Sequence, residues 1–141
     1  MVRQHGAAAL GQIGPCAQSA VPTLQNLLLD KHWQMRVRVA FALWQINHQV
    51  EVPLPVLVGV LSQGDVEARA ESANAIGEIG PAAKSAAPAL VRALKDYEFL
   101  PIRGAFSGFP CSVSTYACEA LKKVDPQAAV RAGLKLDTFG N

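Results

Sequence analysis

A phrase that occurs twice, 66 residues apart, is the feature that most restricts what this chain can fold into. The segment ALGQIGPCAQSAVPTL begins at Ala9, and AIGEIGPAAKSAAPAL begins at Ala75. A shift of half that length aligns a weaker middle copy, in which Leu43 stands where Leu10 does. Because a period of about 20 to 50 residues is typical of repeat architectures, the sequence predicts an array of similar units.

The repeat divides the chain into units that together form a single predicted domain, 1–141. The predicted units are 2–34, 35–66, 67–97 and 113–136, with an insertion loop at 98–112 where the period breaks. Prolines and glycines in this insertion, such as Pro101 and Gly104, oppose a continuous helix.

Each unit is predicted to hold two helices. Leu10 and Ile13 belong to an apolar stripe of helical spacing that recurs in the later copies. Gly14 and Gly80 follow this first helix and are predicted to end it in the left-handed conformation that glycine adopts easily, with Asn47 taking that role in the middle copy.

The second helix of each unit begins near a proline. Ser19 and Ser85 are expected to cap its start, which leaves Pro22 and Pro88 in the first turn. Proline is tolerated there because the backbone N–H groups of that turn have no intrahelical acceptor. A stripe of leucines then follows at four-residue spacing.

One such helix pair is too small to bury both apolar stripes by itself, so neighbouring pairs must stack. No segment alternates apolar and polar residues as a strand would. The predicted fold is therefore all-α, an α-solenoid of about four stacked antiparallel helix pairs.

The pattern R-x3-A-x2-L-G-x-I-G-P, running from Arg3 to Pro15, resembles the short bacterial HEAT-like repeats, the class that includes the repeats of phycobilisome bilin lyases. The resemblance implies a right-handed superhelix of the armadillo-like kind, in a bacterial protein, with second helices lining its concave side. It also implies a binding scaffold, since only a minority of such repeats belong to enzymes.

Charge and cysteine content restrict the function classes. Thirteen Lys and Arg against eleven Asp and Glu give a formal charge of +2, too small to indicate nucleic acid or a membrane as the partner. Cys16, Cys111 and Cys118 lack any CxxC spacing, which favours thiols in a reducing compartment over disulfides or a zinc site. We therefore expect a cytoplasmic protein without a membrane segment.

No catalytic residue, metal or cofactor is predicted. Glutamate does not follow any of the three histidines His5, His32 and His48, whereas the HEAT-like deoxyhypusine hydroxylases bind iron through His-Glu pairs. No glycine-rich phosphate loop is present either.

Arginines recur at the start of successive first helices, as Arg3, Arg36 and Arg69, and Asp30 and Asp96 precede such starts. Helix starts favour anions over cations. We therefore expect these arginines to bond back to carboxylates or carbonyls of the adjoining unit.

The predicted function is a non-enzymatic scaffold that binds another protein, of unknown identity, through two surfaces. The first is the set of second-helix positions outside the leucine stripe, here named the second-helix strip: Gln25, Asn26, Leu29, Val58, Gly59, Ser62, Val91, Arg92 and Lys95. The second comprises aromatic and basic residues of the insertion: Phe99, Arg103, Phe106 and Phe109. The alternatives are that the strip is an ordinary solvated face and that the insertion plugs the groove between the third and fourth pairs.

Other functions stay open at this point. One alternative is a bilin-lyase-like enzyme subunit or chaperone. Another, less favoured, is nucleic-acid binding through the basic residues Arg92, Lys95, Arg103, Lys122, Lys123, Arg131 and Lys135. The amino-terminal helix is alanine-rich rather than polar, so this end is expected to pair with a second copy in a homodimer or to follow further repeats.

Overall fold

The computed structural model describes residues 2–98 and 111–135, with side chains from residue 5 onward. The α-helices of these two ranges are α1 Val2–Ile13, α2 Val21–Leu27, α3 Trp33–Asn47, α4 Pro53–Gln63, α5 Val66–Ile79, α6 Ala87–Ala93, α7 Val113–Val124 and α8 Pro126–Arg131. Two 3₁₀ helices, Gly14–Ala20 and Gly80–Ala86, lead into α2 and α6. The predicted all-α class is confirmed.

The helices stack in two layers. The odd-numbered helices form one layer, in which α1 packs on α3, α3 on α5 and α5 on α7. The even-numbered helices pack against them, α2 on α3, α4 on α3 and α5, and α6 and α8 on α7. Fully buried side chains from both layers form one continuous core, among them Leu24, Leu43, Leu57, Ile76 and Leu121. This arrangement is an α-solenoid, as the repeat predicted.

At two of the three predicted helix ends a glycine with positive φ follows the helix, Gly14 with φ +69° and Gly80 with φ +75°. The ψ of −144° nevertheless places Gly80 outside the left-handed helical region. In the middle copy the prediction was wrong, because Asn47 is the last residue of α3 and His48 is left-handed, with φ 55°. The Asn47 side-chain oxygen instead accepts a hydrogen bond of 3.0 Å from the Gln49 N–H. The helix of the middle copy therefore ends one residue later than its two counterparts.

The predicted serine caps were also wrong. Neither α2 nor α6 has a side-chain hydrogen bond at its start, and each follows directly from a 3₁₀ helix. The Val21 N–H, for example, bonds to the Gln18 carbonyl of the preceding 3₁₀ helix. Backbone carbonyls of the 3₁₀ helix thus accept hydrogen bonds from N–H groups that a serine side chain would otherwise cap. Pro22 and Pro88 lie in the first turn, as predicted.

Glycines permit two of the helix contacts to be unusually close. A Cβ atom added to Gly11 would lie 2.9 Å from Ala42 Cα, and one added to Gly77 would lie 3.0 Å from Ala120 Cα. Trp44 occupies the equivalent position in α3, where it is half-buried and stacks on Phe41 with a centroid distance of 5.6 Å. The α3–α5 contact is less extensive than the contacts α1–α3 and α5–α7. Close and wider contacts therefore alternate, which accounts for the stronger repeat at 66 residues.

Candidate protein-binding surface

The second-helix strip lies along the even-numbered layer, but the prediction that all of it belongs to second helices was wrong for two residues. Leu29 and Lys95 lie in the turns that follow α2 and α6, because these helices end at Leu27 and Ala93. Leu29 is 85% exposed and Val91 is 37% exposed, while Val58 is half-buried against the core. The strip's polar residues are all exposed, and its glycine is half-buried: Gln25, Asn26, Ser62, Arg92 and Lys95, with Gly59. The strip therefore combines exposed apolar side chains with polar ones that point to solvent.

Charge is unevenly distributed between the two layers. None of α2, α4, α6 and α8 contains an acidic residue. The acidic residues within described helices all lie in α5 and α7, and they are Glu67, Glu71, Glu78 and Glu119. In the part of the chain that is described, neither Arg92 nor Lys95 makes an ion pair. The third unit's portion of the strip is consequently basic.

The two ends of the insertion are joined by hydrogen bonds. The Val113 N–H donates to the Glu98 carbonyl at 3.2 Å, and the Ser114 N–H donates to the Asp96 carbonyl at 2.8 Å. The Ser114 hydroxyl also donates to the Leu94 carbonyl at 2.8 Å. The predicted insertion residues Phe99, Arg103, Phe106 and Phe109 lie outside the described residues. The structure therefore describes the two ends of the insertion, here called its base.

Arg69 lies at this base and connects it to the preceding unit. Its Nη1 donates to the Gly64 carbonyl at 2.9 Å, and its guanidinium hydrogen-bonds Glu98. Arg69 Nη2 also donates to Asp96 Oδ1 at 3.5 Å, and Arg69 Nε lies 2.8 Å from Asp96 Oδ2 in an ion pair. Burial by itself would lower the pKa of Arg69, but the hydrogen bond to Glu98 and the attraction of Asp96 outweigh burial and raise it. Sequence reasoning missed Glu98 as a partner of Arg69.

Arg36 makes the corresponding backbone contact in the middle unit. Its Nε donates to the Asp30 carbonyl, and its guanidinium lies 4.7 Å from the centroid of the Trp33 ring. The expectation that these arginines bond to carbonyls of the adjoining unit is therefore confirmed for Arg36 and Arg69. The side chain of Arg3 lies outside the described part.

A further ion pair connects α3 to α5. Arg38 and Glu71 approach to 3.6 Å between Nη2 and Oε1. Burial raises the pKa of Glu71, and the attraction of Arg38 offsets this only in part. Ionisation of Glu71 is thus less favourable at this joint than for a fully solvated glutamate.

The remaining titratable residues are dispersed. Within residues 2–98 and 111–135, no cluster of three or more His, Cys, Asp and Glu side chains is suited to hold a metal ion. His32 Nδ1 pairs with Asp30 Oδ1 at 2.8 Å, and His48 packs edge-on against Trp44. Cys16 is exposed, whereas the other two cysteines are half-buried.

The outer face of α1 corresponds, through the 66-residue repeat, to a face of α5 that is buried. Ala75 and Ile79 of α5 are each only 6% exposed. Their counterparts in α1 are Ala9, which is exposed, and Ile13, which is 57% exposed. Pairing of this face with a second copy stays a prediction.

Comparison with known protein families agrees with this architecture. A family model described as HEAT repeats matches residues 21–108, which is more than half of the chain. A second model, described as PBS lyase HEAT-like repeat, matches residues 2–30. The chain belongs to the HEAT-repeat family. No curated protein sequence matches it.

None of the helices in the described ranges is both long and apolar enough to cross a membrane.

Proposed function

We propose that this chain is a non-enzymatic scaffold that binds another protein through the second-helix strip and the insertion. HEAT repeats generally serve as protein-interaction scaffolds. The observation that carries the proposal is the exposure of Leu29 and Val91 on the same layer, among polar neighbours. A protein partner would remove such apolar surface from water while leaving the polar rim solvated.

The solenoid architecture suits an elongated partner. Each unit of a solenoid contacts only its neighbours, so the array presents an extended surface rather than a closed pocket. Leu29 and Val91 lie two units apart, and successive units are joined by packed odd-numbered helices, α1 on α3 and α3 on α5, at separations of about 8–10 Å. A partner that contacts both must therefore extend over roughly 16–20 Å.

The insertion provides the second part of the proposed surface. Loops of this length within a repeat array are uncommon unless they have a function. Arg69 and the hydrogen bonds of Ser114 fix both of its ends against the third and fourth units. Tyr97, where the insertion leaves the third unit, is 69% exposed.

Pull-down from cells with the wild-type chain and two double variants tests the proposal. We expect Leu29→Ser with Val91→Ser to lose a protein that the wild type captures. The matched control is Val52→Ser with Val130→Ser, which changes valines that are 45% and 55% exposed outside the strip. The control should keep the capture, and identical capture by all three folded proteins would contradict the role of the strip.

A separate variant tests the insertion. Replacement of residues 102–112 by a short Gly-Ser linker is expected to weaken partner capture while the melting temperature changes by only a few degrees. Loss of thermal stability with unchanged capture would instead show that the insertion plugs the core.

A bilin-lyase-like enzyme subunit or chaperone is the second candidate, and the match of residues 2–30 to the PBS lyase HEAT-like repeat favours it. Such a protein would bind a linear tetrapyrrole. Absorption spectra recorded after incubation with bilins test this alternative, since bound pigment shifts and sharpens its absorption bands. Unchanged spectra would exclude it.

A further inference from the structure

The third unit differs from the other two in the charge of its strip positions. Arg92 stands at the repeat position of Asn26 and Gly59, and Lys95 stands at that of Leu29. Both basic residues are exposed, and neither makes an ion pair in the described ranges. The strip is therefore uncharged at the first unit, where Leu29 is its exposed apolar residue, and cationic at the third unit, beside Val91.

The carboxylates next to Lys95 in the chain are engaged elsewhere. Asp96 contacts Arg69 through its carboxylate, and so does Glu98. The α6 helix itself carries no acidic residue, and α8, which packs near it, ends at the exposed Arg131. Positive charge on this end of the even-numbered layer is thus available to a ligand.

We propose that the second-helix strip binds a segment of a partner protein that is acidic at one end and apolar at the other. This inference rests on the proposed function. The acidic end lies over Arg92 and Lys95, where its carboxylates pair with the two cations. The apolar end covers Leu29, so the charge gradient also fixes the direction in which the segment lies.

The separation of the two ends sets the length of the segment. A span of roughly 16–20 Å corresponds to about 11–13 residues of α-helix at 1.5 Å per residue. An extended segment would need about five or six residues for the same span. Nucleic acid suits this surface less well, because phosphates gain nothing from an exposed leucine and rely on many cations.

Fluorescence anisotropy with three labelled synthetic peptides tests the proposal on the full chain. The first peptide is a helix of about 15 residues with glutamates at one end and leucines at the other. The second replaces glutamate by lysine, and the third replaces leucine by serine. We expect the first to bind at least about tenfold more tightly than either of the others, with affinity that falls as salt rises.

Two charge-matched double variants then locate the site. Arg92→Ala with Lys95→Ala should weaken binding of the first peptide at least about tenfold and reduce its salt dependence. Lys84→Ala with Lys123→Ala removes the same charge, since each pair lowers the formal net charge from +2 to 0. This control changes exposed lysines outside the strip and should bind as the wild type does.

Several results would overturn the inference. Equal affinity for the glutamate and lysine peptides, or equal loss in both double variants, would refute acid recognition at Arg92 and Lys95. Binding of single-stranded RNA that exceeds peptide binding, and that Arg92→Ala with Lys95→Ala abolishes, would replace the inference by nucleic-acid binding. None of these results decides the proposed function itself. The part of that function assigned to the strip fails if the Leu29 and Val91 double variant captures the same proteins as the wild type.

Discussion

Replacing Gly77 by alanine should destabilise the solenoid relative to the same change at Gly59. Both glycines lie inside helices, Gly77 in α5 and Gly59 in α4. A Cβ at Gly77 would lie 3.0 Å from Ala120 Cα and 3.1 Å from Ala120 Cβ, whereas one at Gly59 would meet nothing within 4 Å. The two substitutions therefore share their effect on helix propensity and differ in packing.

The expected magnitudes follow from these two effects. Alanine is more favourable than glycine in a helix interior by about 1 kcal/mol. Gly59→Ala should thus raise the free energy of unfolding by about 0.5–1 kcal/mol. At Gly77 the added methyl must push α5 and α7 apart, and such overpacking costs about 1–3 kcal/mol. The difference between the two variants should therefore be about 1–3 kcal/mol, with Gly77→Ala the less stable.

Urea denaturation followed by far-UV circular dichroism measures both free energies under one set of conditions. The m-values should match that of the wild type, so that the midpoints can be compared directly. If Gly77→Ala stabilises the protein as much as Gly59→Ala does, the close contact with Ala120 is not the reason that glycine occupies this position.

Other substitutions test the joints between units. Arg36→Ala and Arg69→Ala should each lower the free energy of unfolding by about 1–3 kcal/mol without loss of partner capture, and a normal melting temperature with lost capture would make the arginines a ligand site. Glu71→Gln should stabilise the protein at neutral pH, because burial raises the folded pKa of Glu71 above its ordinary value of 4.5. Glu71 protonation favours the folded state, so the wild type loses this stability as pH rises through the folded pKa. The advantage of Glu71→Gln should therefore shrink below about pH 4.5, and thermal melts at several pH values would show whether it does. If the outer face of α1 joins two copies, Ile13→Lys should reduce the mass measured by light scattering, and an unchanged mass would contradict that pairing.

The sequence by itself determined the repeat, the helical class and most of the helix ends. These features depend on local rules that recur between units: apolar spacing, the positive φ that glycine permits at Gly14 and Gly80, and the tolerance of a first helical turn for Pro22 and Pro88. Because such a rule acts at the same position of each copy, the same residue types recur at the repeat spacing. Comparison of the copies was therefore enough to identify these features.

The tertiary structure decided which partner each polar group takes and how closely the helices approach. Ser19 was expected to cap a helix, but the preceding 3₁₀ helix already supplies carbonyl acceptors there. Glu98 became a partner of Arg69 because hydrogen bonds to the start of α7 hold the end of the third unit in place. Gly77 and Trp44 occupy equivalent positions, yet one permits a close contact and the other stacks on Phe41. Such outcomes depend on residues distant in the chain, whose distances are fixed only when the units stack.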